Sequence, residues 1–144
     1  MKLHPIQLRA IKVTRLSIVI HDQKEAADFA GEVNFRMQLG RSDFEQGNRN
    51  IAVGLRTTVK PTVAADQQPS FEIDVELAGQ FEVDYSAFNF EDLPRWSEVN
   101  APLLLVPYVR EQVYGLALRA GVKGMMLPLI VSREAKGPVD EKRQ

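Results

Sequence analysis

The sequence predicts an α+β fold, in which a four-stranded antiparallel β-sheet carries one long C-terminal helix packed on it. Three observations lead there. Four runs between residues 13 and 85 alternate apolar and polar side chains with period two, the repeat of a strand with one face buried. The connections between them are polar and turn-rich, as between antiparallel neighbours. The long run with helical period follows them, over residues 101–121.

The first strand is expected over Val13 to Ile20, with Leu16, Ile18 and Ile20 on one face and Arg15, Ser17 and Val19 on the other. Val19 breaks the polarity of that second face. Residues His21 to Gly31 read as a polar loop with a short helical turn at Lys24 to Phe29. The second strand is cleaner, because Val33, Phe35, Met37 and Leu39 alternate strictly with Asn34, Arg36 and Gln38. Ile51, Val53, Leu55 and Val59 mark the inner face of a third strand, with Arg56 and Lys60 outside. Pro61 cannot donate to a ladder and ends it. After a loose loop at Ala64 to Pro69, the fourth strand sets Phe71, Ile73, Val75 and Leu77 inward and Glu72, Asp74 and Glu76 outward, and Phe81, Val83 and Tyr85 continue it. If strands three and four form a hairpin, this acidic row faces Arg56 and Lys60 and helps to set register.

Ser86 to Val99 follows neither period and mixes Phe88, Phe90, Leu93 and Trp96 with acids and Pro94, as a connection that packs down on something or receives something. The helix comes next. Val109, Val113, Leu116, Ala117 and Ala120 form one apolar stripe, and Leu104, Tyr108 and Gly115, flanked by Tyr114 and Leu118, form a second. A helix so extensively apolar is expected to be covered on more than one side. Asn100 is the expected N-cap, Pro102 falls in the first turn, and Gly121 sits where a left-handed residue would close the helix. Pro107 predicts either a start or a bend. Residues 1–131 are expected to form a single domain and 132–144 a charged, solvated tail.

Bulk properties narrow the function classes. The chain has 144 residues, 44% hydrophobic and 26% charged, which suits one ordinary globular domain with a real core. A net charge of −1 argues against a nucleic-acid partner held by its phosphates. Cysteine is absent, which removes disulfides and thiolate ligands and accords with a cytoplasmic setting. No apolar leader follows Lys2, and no window is long enough to span a bilayer, so neither export nor membrane insertion of the chain is expected.

Leu105-Val106-Pro107-Tyr108-Val109-Arg110-Glu111, a helix ending in Arg119-Ala120-Gly121, and then Leu127-Pro128 together resemble the SecB export chaperones. There an apolar run, Pro-Tyr, a small residue and Arg-Glu lead into a helix that closes at Arg-Gly before a Leu-rich segment. Phe71 to Phe81 resembles that family's last strand, and with the four-strand order the similarity spans roughly residues 8–131. The resemblance implies a SecB-like fold and a molecular chaperone in protein transport, a holdase whose apolar grooves bind unfolded preproteins for translocation by the SecA motor. It also implies a homotetramer, a dimer of dimers with helices between the sheets. Four half-apolar strands and one helix leave the same surplus for sister copies to cover. The expected helix interface comprises Tyr108, Val109, Val113, Leu116 and Leu118.

Candidate client-binding residues are Phe88, Phe90 and Trp96 in the aromatic connection and Met125, Met126 and Leu127 after the helix, since aromatic and flexible thioether side chains tolerate varied segments. The same side chains would equally close a core. In the family an acidic sheet face on the first and fourth strands meets the motor. Here only Glu72, Asp74 and Glu76 supply such charge, while Arg15 and Val19 stand on the first strand. That counts against SecA docking and points to a divergent member, stand-alone or specialised, with general export and service to a toxin–antitoxin system both open.

No enzyme chemistry stands out. His4 and His21 lack a partner at ligand spacing, so no metal site is expected, and both read as surface histidines. Glu91 and Asp92 diverge as sequence neighbours, and a structural role is expected for Arg110 and Glu111. The glycines of residues 40–47 lack the ending of a phosphate loop, and no cofactor is implied. The alternative is an antiparallel-sheet domain with a closed pocket for a small ligand or substrate, and a bare adaptor is a third reading. Against a pocket, Val33, Phe35, Met37, Leu39, Ile51, Val53, Leu55, Phe71, Ile73 and Val75 offer no acid, base or nucleophile on the inward face.

Overall fold

The computed structural model describes residues 1–123 together with Met125 and Leu127. Met126 and the expected tail, residues 132–144, lie outside the described residues. Four strands, β1 (Ile6–Ile20), β2 (Val33–Arg41), β3 (Asn50–Pro61) and β4 (Phe71–Val83), form one antiparallel sheet in the order β1-β4-β3-β2. β2, β3 and β4 follow as hairpins, and β1 lies beside β4 in a Greek-key arrangement. The chain therefore crosses from one sheet edge to the other between β1 and β2. A short helix, α1 (Gln23–Ala27), punctuates that crossing, started by Asp22, whose carboxylate accepts from the Glu25 N–H at 3.0 Å.

β4 is central and its alternation is complete. Phe71, Ile73, Val75, Leu77, Phe81 and Val83 are all buried, while Glu72, Asp74 and Glu76 point the other way. β3 repeats the pattern with Ile51, Val53, Leu55 and Val59, but Thr57 stands in the same buried row.

β1 is longer than the expected Val13 start, and its own register explains the difference. Pairing with β4 slips between Leu8 and Ala10 and again between Val13 and Arg15, so Arg9 and Thr14 are each one extra residue. Every bulge reverses which parity faces inward. The residues opposite β4's buried row are thus Ile6 and Leu8, then Ile11 and Val13, then Leu16, Ile18 and Ile20. No single period-two template can follow that sequence, so only its last segment reads as a strand.

The aromatic connection is more regular than expected. A 3-10 turn at Phe90–Asp92 leads into helix α2 (Leu93–Val99), which abuts helix α3 (Ala101–Arg119) at Asn100. Asn100 is itself α-helical and makes no side-chain cap. Its N–H donates to the Trp96 carbonyl at 2.8 Å and its carbonyl accepts from Leu104 at 3.3 Å, so backbone continuity replaces the expected cap. The helix runs through Pro107, whose exposed position leaves the carbonyl that loses its partner within reach of water. Its C-terminus ends as the sequence indicates. Gly121 has φ +80°, its N–H donates to Leu118 at 3.1 Å, and the Val122 N–H reaches back to Ala117 at 2.8 Å. This is the double bond pattern of a Schellman closure, with Val122 buried behind it.

α3 lies over β4 and β3 and buries Leu105, Val109, Val113, Leu116 and Ala117. Gly79 provides the seat, because a Cβ there would stand 2.7 Å from Leu105 Cδ2 and 2.9 Å from Phe81 Cε2. Gly79→Ala is therefore expected to cost about 1–3 kcal/mol through overpacking. Gly54→Ala, whose added carbon would stand 3.6 Å from the Leu77 carbonyl oxygen, is expected to be nearly neutral, and urea unfolding of the two variants checks the contrast.

Candidate functional site

A single helix covers the middle of the inner face and leaves its margins open. Along β1, Val13 and Leu16 are 46% and 43% exposed although they face inward, and at the other edge Leu39 on β2 is 39% exposed. Phe35 and Met37 beside it are half-buried.

The helix repeats this surplus on its far side. Leu104, Tyr108, Gly115 and Leu118 fall on one line at spacings of four, seven and three residues, opposite the stripe that meets the sheet. Leu104, Tyr108 and Leu118 are exposed, with Leu103 and Tyr114 beside them. The geometry divides the expected interface set. Val109, Val113 and Leu116 are buried against their own sheet, whereas Tyr108 and Leu118 face solvent.

The candidate client residues divide too. Trp96 is buried, its ring edge-to-face with Phe81 at 5.1 Å and stacked near His4 at 6.5 Å. Met125 and Leu127 are likewise buried core members. The Leu127 carbonyl accepts from Arg110 Nε at 3.1 Å, so Arg110 holds the segment after α3 against the helix. Phe88 and Phe90 remain half-buried, and Phe90 leans on Tyr85 at 6.0 Å. The open apolar surface that sequence reasoning missed includes Val13, Leu16 and Leu39. The inward parity of Leu16 and Leu39 was readable, that of Val13 was hidden by the bulge at Thr14, and the limited reach of the covering helix was readable for none of them.

On the opposite face of the sheet the acidic row is engaged internally. Asp74 accepts two hydrogen bonds from Arg56, Nε to Oδ1 at 3.0 Å and Nη2 to Oδ2 at 2.7 Å, with Arg15 at 3.6 Å. The hydrogen-bonded Arg56 guanidinium holds the Asp74 carboxyl below the usual carboxylate range. Arg56 stands directly opposite Glu76 yet bonds diagonally to Asp74, so the expected cross-strand pairing is realised one step along. Glu76 instead accepts from the Thr14 hydroxyl at 2.7 Å. Glu72 lies 2.9 Å from His21 Nε2, and His21 Nδ1 lies 3.1 Å from Gln68. His21 is thus a surface histidine, as expected, bonded within this face.

A cavity of about 620 Å³ opens to solvent at the α1 end, with Asp22, Lys24, Glu25, Asp28, Phe29 and Thr62 among its walls. One of its carboxylates, Asp22, is occupied as the helix cap. Among the described residues no group of three His, Cys, Asp or Glu could hold a metal ion. Within the buried rows of the inner face Thr57 is polar, and its hydroxyl has no hydrogen-bond partner; at the end of β2 Arg41 falls on the same face, opposite Val53, with its guanidinium 4.3 Å from the centre of the Phe44 ring.

The family model described as preprotein translocase subunit SecB matches residues 4–131 of the chain. Among solved structures, the Mycobacterium tuberculosis Rv1957 SecB-like chaperone, in complex with a ChAD peptide from the Rv1956 HigA1 antitoxin, is similar at TM-score 0.67 and 21% identity. The alignment covers 88% of this chain and 91% of that one. A protein of unknown function from Streptococcus agalactiae aligns at TM-score 0.39 and 14% identity over 86% of this chain and 97% of that one. That likeness is too low to carry an argument. No curated protein matches the chain by sequence.

Two outcomes test the site's anatomy. Trp96→Ala is expected to destabilise the fold by about 3–5 kcal/mol in chemical denaturation, as a core truncation does. The Asp74 carboxyl, depressed in the folded state, contributes stability that is complete above its unfolded pKa of about 3.9 and fades as pH falls through the folded value. Asp74→Asn is expected to lower the melting temperature near neutral pH and to flatten its dependence on pH below about 4, as thermal scans across that range would register.

Proposed function

This chain belongs to the SecB family, and from that premise we propose that it is a holdase chaperone that keeps non-native chains soluble by covering their apolar segments. The observation that carries the reading is the apolar surface left open after folding, at the inward margins of β1 and β2 and along the outer side of α3. A folded monomer gains nothing from exposing this much aligned apolar surface, so it is a surface for other chains.

Two kinds of chain share it. Leu104, Tyr108 and Leu118 form a flat stripe with Gly115 in line, which suits close packing of one helix on the same helix of another copy. A homotetramer built as a dimer of dimers is the assembly proposed. Val13 and Leu16 at one margin, and Phe35, Met37 and Leu39 at the other, then border grooves for extended client segments. Phe88, Phe90 and Met126 are the proposed client contacts that remain from the aromatic connection and the segment after the helix. The clients are preproteins bound for export or one dedicated partner, met in the cytoplasm. The antitoxin peptide on the Mycobacterium relative supports a dedicated partner. Glu72, Asp74 and Glu76 are weak motor contacts in this proposal, because each is already bonded within the chain. Among the described residues no helix is long and apolar enough to cross a membrane.

Size-exclusion chromatography with light scattering tests both halves. The chain alone is expected to elute as an oligomer, and a reduced, unfolded model protein is expected to co-elute with it as a stable complex. Leu118→Arg should yield a smaller species with unchanged far-UV circular dichroism, since a charge in that stripe opposes burial worth about 1.5–3 kcal/mol per leucine. A monomer that forms no complex with the unfolded protein would overturn the proposal.

A further inference from the structure

The outer face of the sheet, turned away from α3, is a second surface with its own chemistry. Register fixes its layout. Lys12, Ala78, Gly54 and Gly40 stand side by side across all four strands. The row beside them is Arg15, Glu76, Arg56 and Gln38, and the next is Ser17, Asp74, Thr58 and Arg36. Lys60 stands opposite Asn34 next to Arg36.

The carboxylates here are spent on the chain itself. Asp74, Glu76 and Glu72 are bonded as described, and Glu82 Oε1 receives both Arg9 at 3.4 Å and Arg49 at 3.2 Å. Lys12, Arg36 and Lys60 are exposed and take part in no ion pair among the described residues. Within the four strands, six cations of this face stand against four carboxylates, in a chain whose net charge is −1. The surplus is therefore segregated onto the sheet, while many of the acids lie in the connections.

We propose that this face docks an acidic, extended segment of a partner protein. A uniform polyphosphate would be repelled by the carboxylates that lie between the free cations, whereas a peptide can set acids over Lys12, Arg36 and Lys60 and neutral residues elsewhere. The path fits such a segment. Lys12 and Arg36 are separated by three strands and four residues along the sheet, about 20 Å, which some six extended residues span. The path passes over Glu76 and Arg56, both already bonded within the chain, and Ala78, Gly54 and Gly40 continue the Lys12 row along its other side, where a backbone can lie close. The inference is independent of the holdase reading, which uses the other face.

Fluorescence anisotropy with a labelled peptide of about ten alternating Glu and Ala residues tests it, with the Gln-Ala peptide and a short DNA duplex as controls. The acidic peptide is expected to bind and to weaken by about 10-fold between low and physiological salt. Combined Lys12→Gln, Arg36→Gln and Lys60→Gln should weaken it by about 10-fold or more, leaving the complex with unfolded protein intact. Arg36→Gln alone, at an exposed edge position, should give a smaller loss in the same direction. Absence of binding, equal binding of the Gln-Ala peptide, tighter binding of the duplex, or undiminished affinity in either variant would overturn the proposal.

Discussion

A helix with its side chains is about 10–12 Å across, whereas four strands spaced about 4.8 Å apart span about 14 Å between the outer strand axes, before side chains are added. α3 therefore seats on β4 and β3 and cannot also close over the edges. The close fit under Leu105, where Gly79 gives up its side chain, sinks the helix onto the central strands and fixes which margins stay open. Val13, Leu16 and Leu39 are the direct consequence: apolar, turned inward, and only partly covered. The surplus on the helix's other side has a different origin, because Leu104, Tyr108 and Leu118 continue the apolar character around a cylinder whose opposite side is already buried.

The outer face obeys a different constraint, since hydrophobic parity tells a strand which way to face but not which neighbour to pair with at each step. The Arg56–Asp74 pair, with Arg15 nearby, supplies that information where three strands meet. Desolvation is modest at such half-open positions, and the bidentate geometry raises the pair above the usual weak surface bridge. The two bulges of β1 are compatible with this arrangement. Thr14, the extra residue of the second, is the one whose hydroxyl reaches Glu76.

These two faces give the chain two unlike surfaces from one sheet. On the proposed holdase reading, client holding requires apolar area that is neither sequestered nor so extensive that the protein aggregates, and sharing it with sister copies is the route the proposed symmetric assembly provides. The aromatic connection contributes differently from its composition. Trp96 and Leu93 are committed to the core beneath α2 and α3, and Phe88 and Phe90 lie nearer the surface. Large apolar side chains in an irregular stretch announce that something is packed there; they do not say whether it is the chain's own body or another's.

The sequence by itself determined the four-strand order of elements, the inward residues of β2, β3 and β4, the long helix with its Gly121 closure, and the two-sided apolar character of that helix. All of these rest on local periodicity or on the conformational freedom of one residue, and such signals are contained within a few neighbouring positions. Only the tertiary structure decided the early start of β1, the role of Asn100, the engagement of the acidic row and the division of the candidate residues between core and surface. Each of those depends on what lies across a strand or above a face. A bulge at Arg9 or Thr14 changes parity without any mark in composition. Whether Val109 or Tyr108 meets water is settled by which side of one cylinder first finds a sheet.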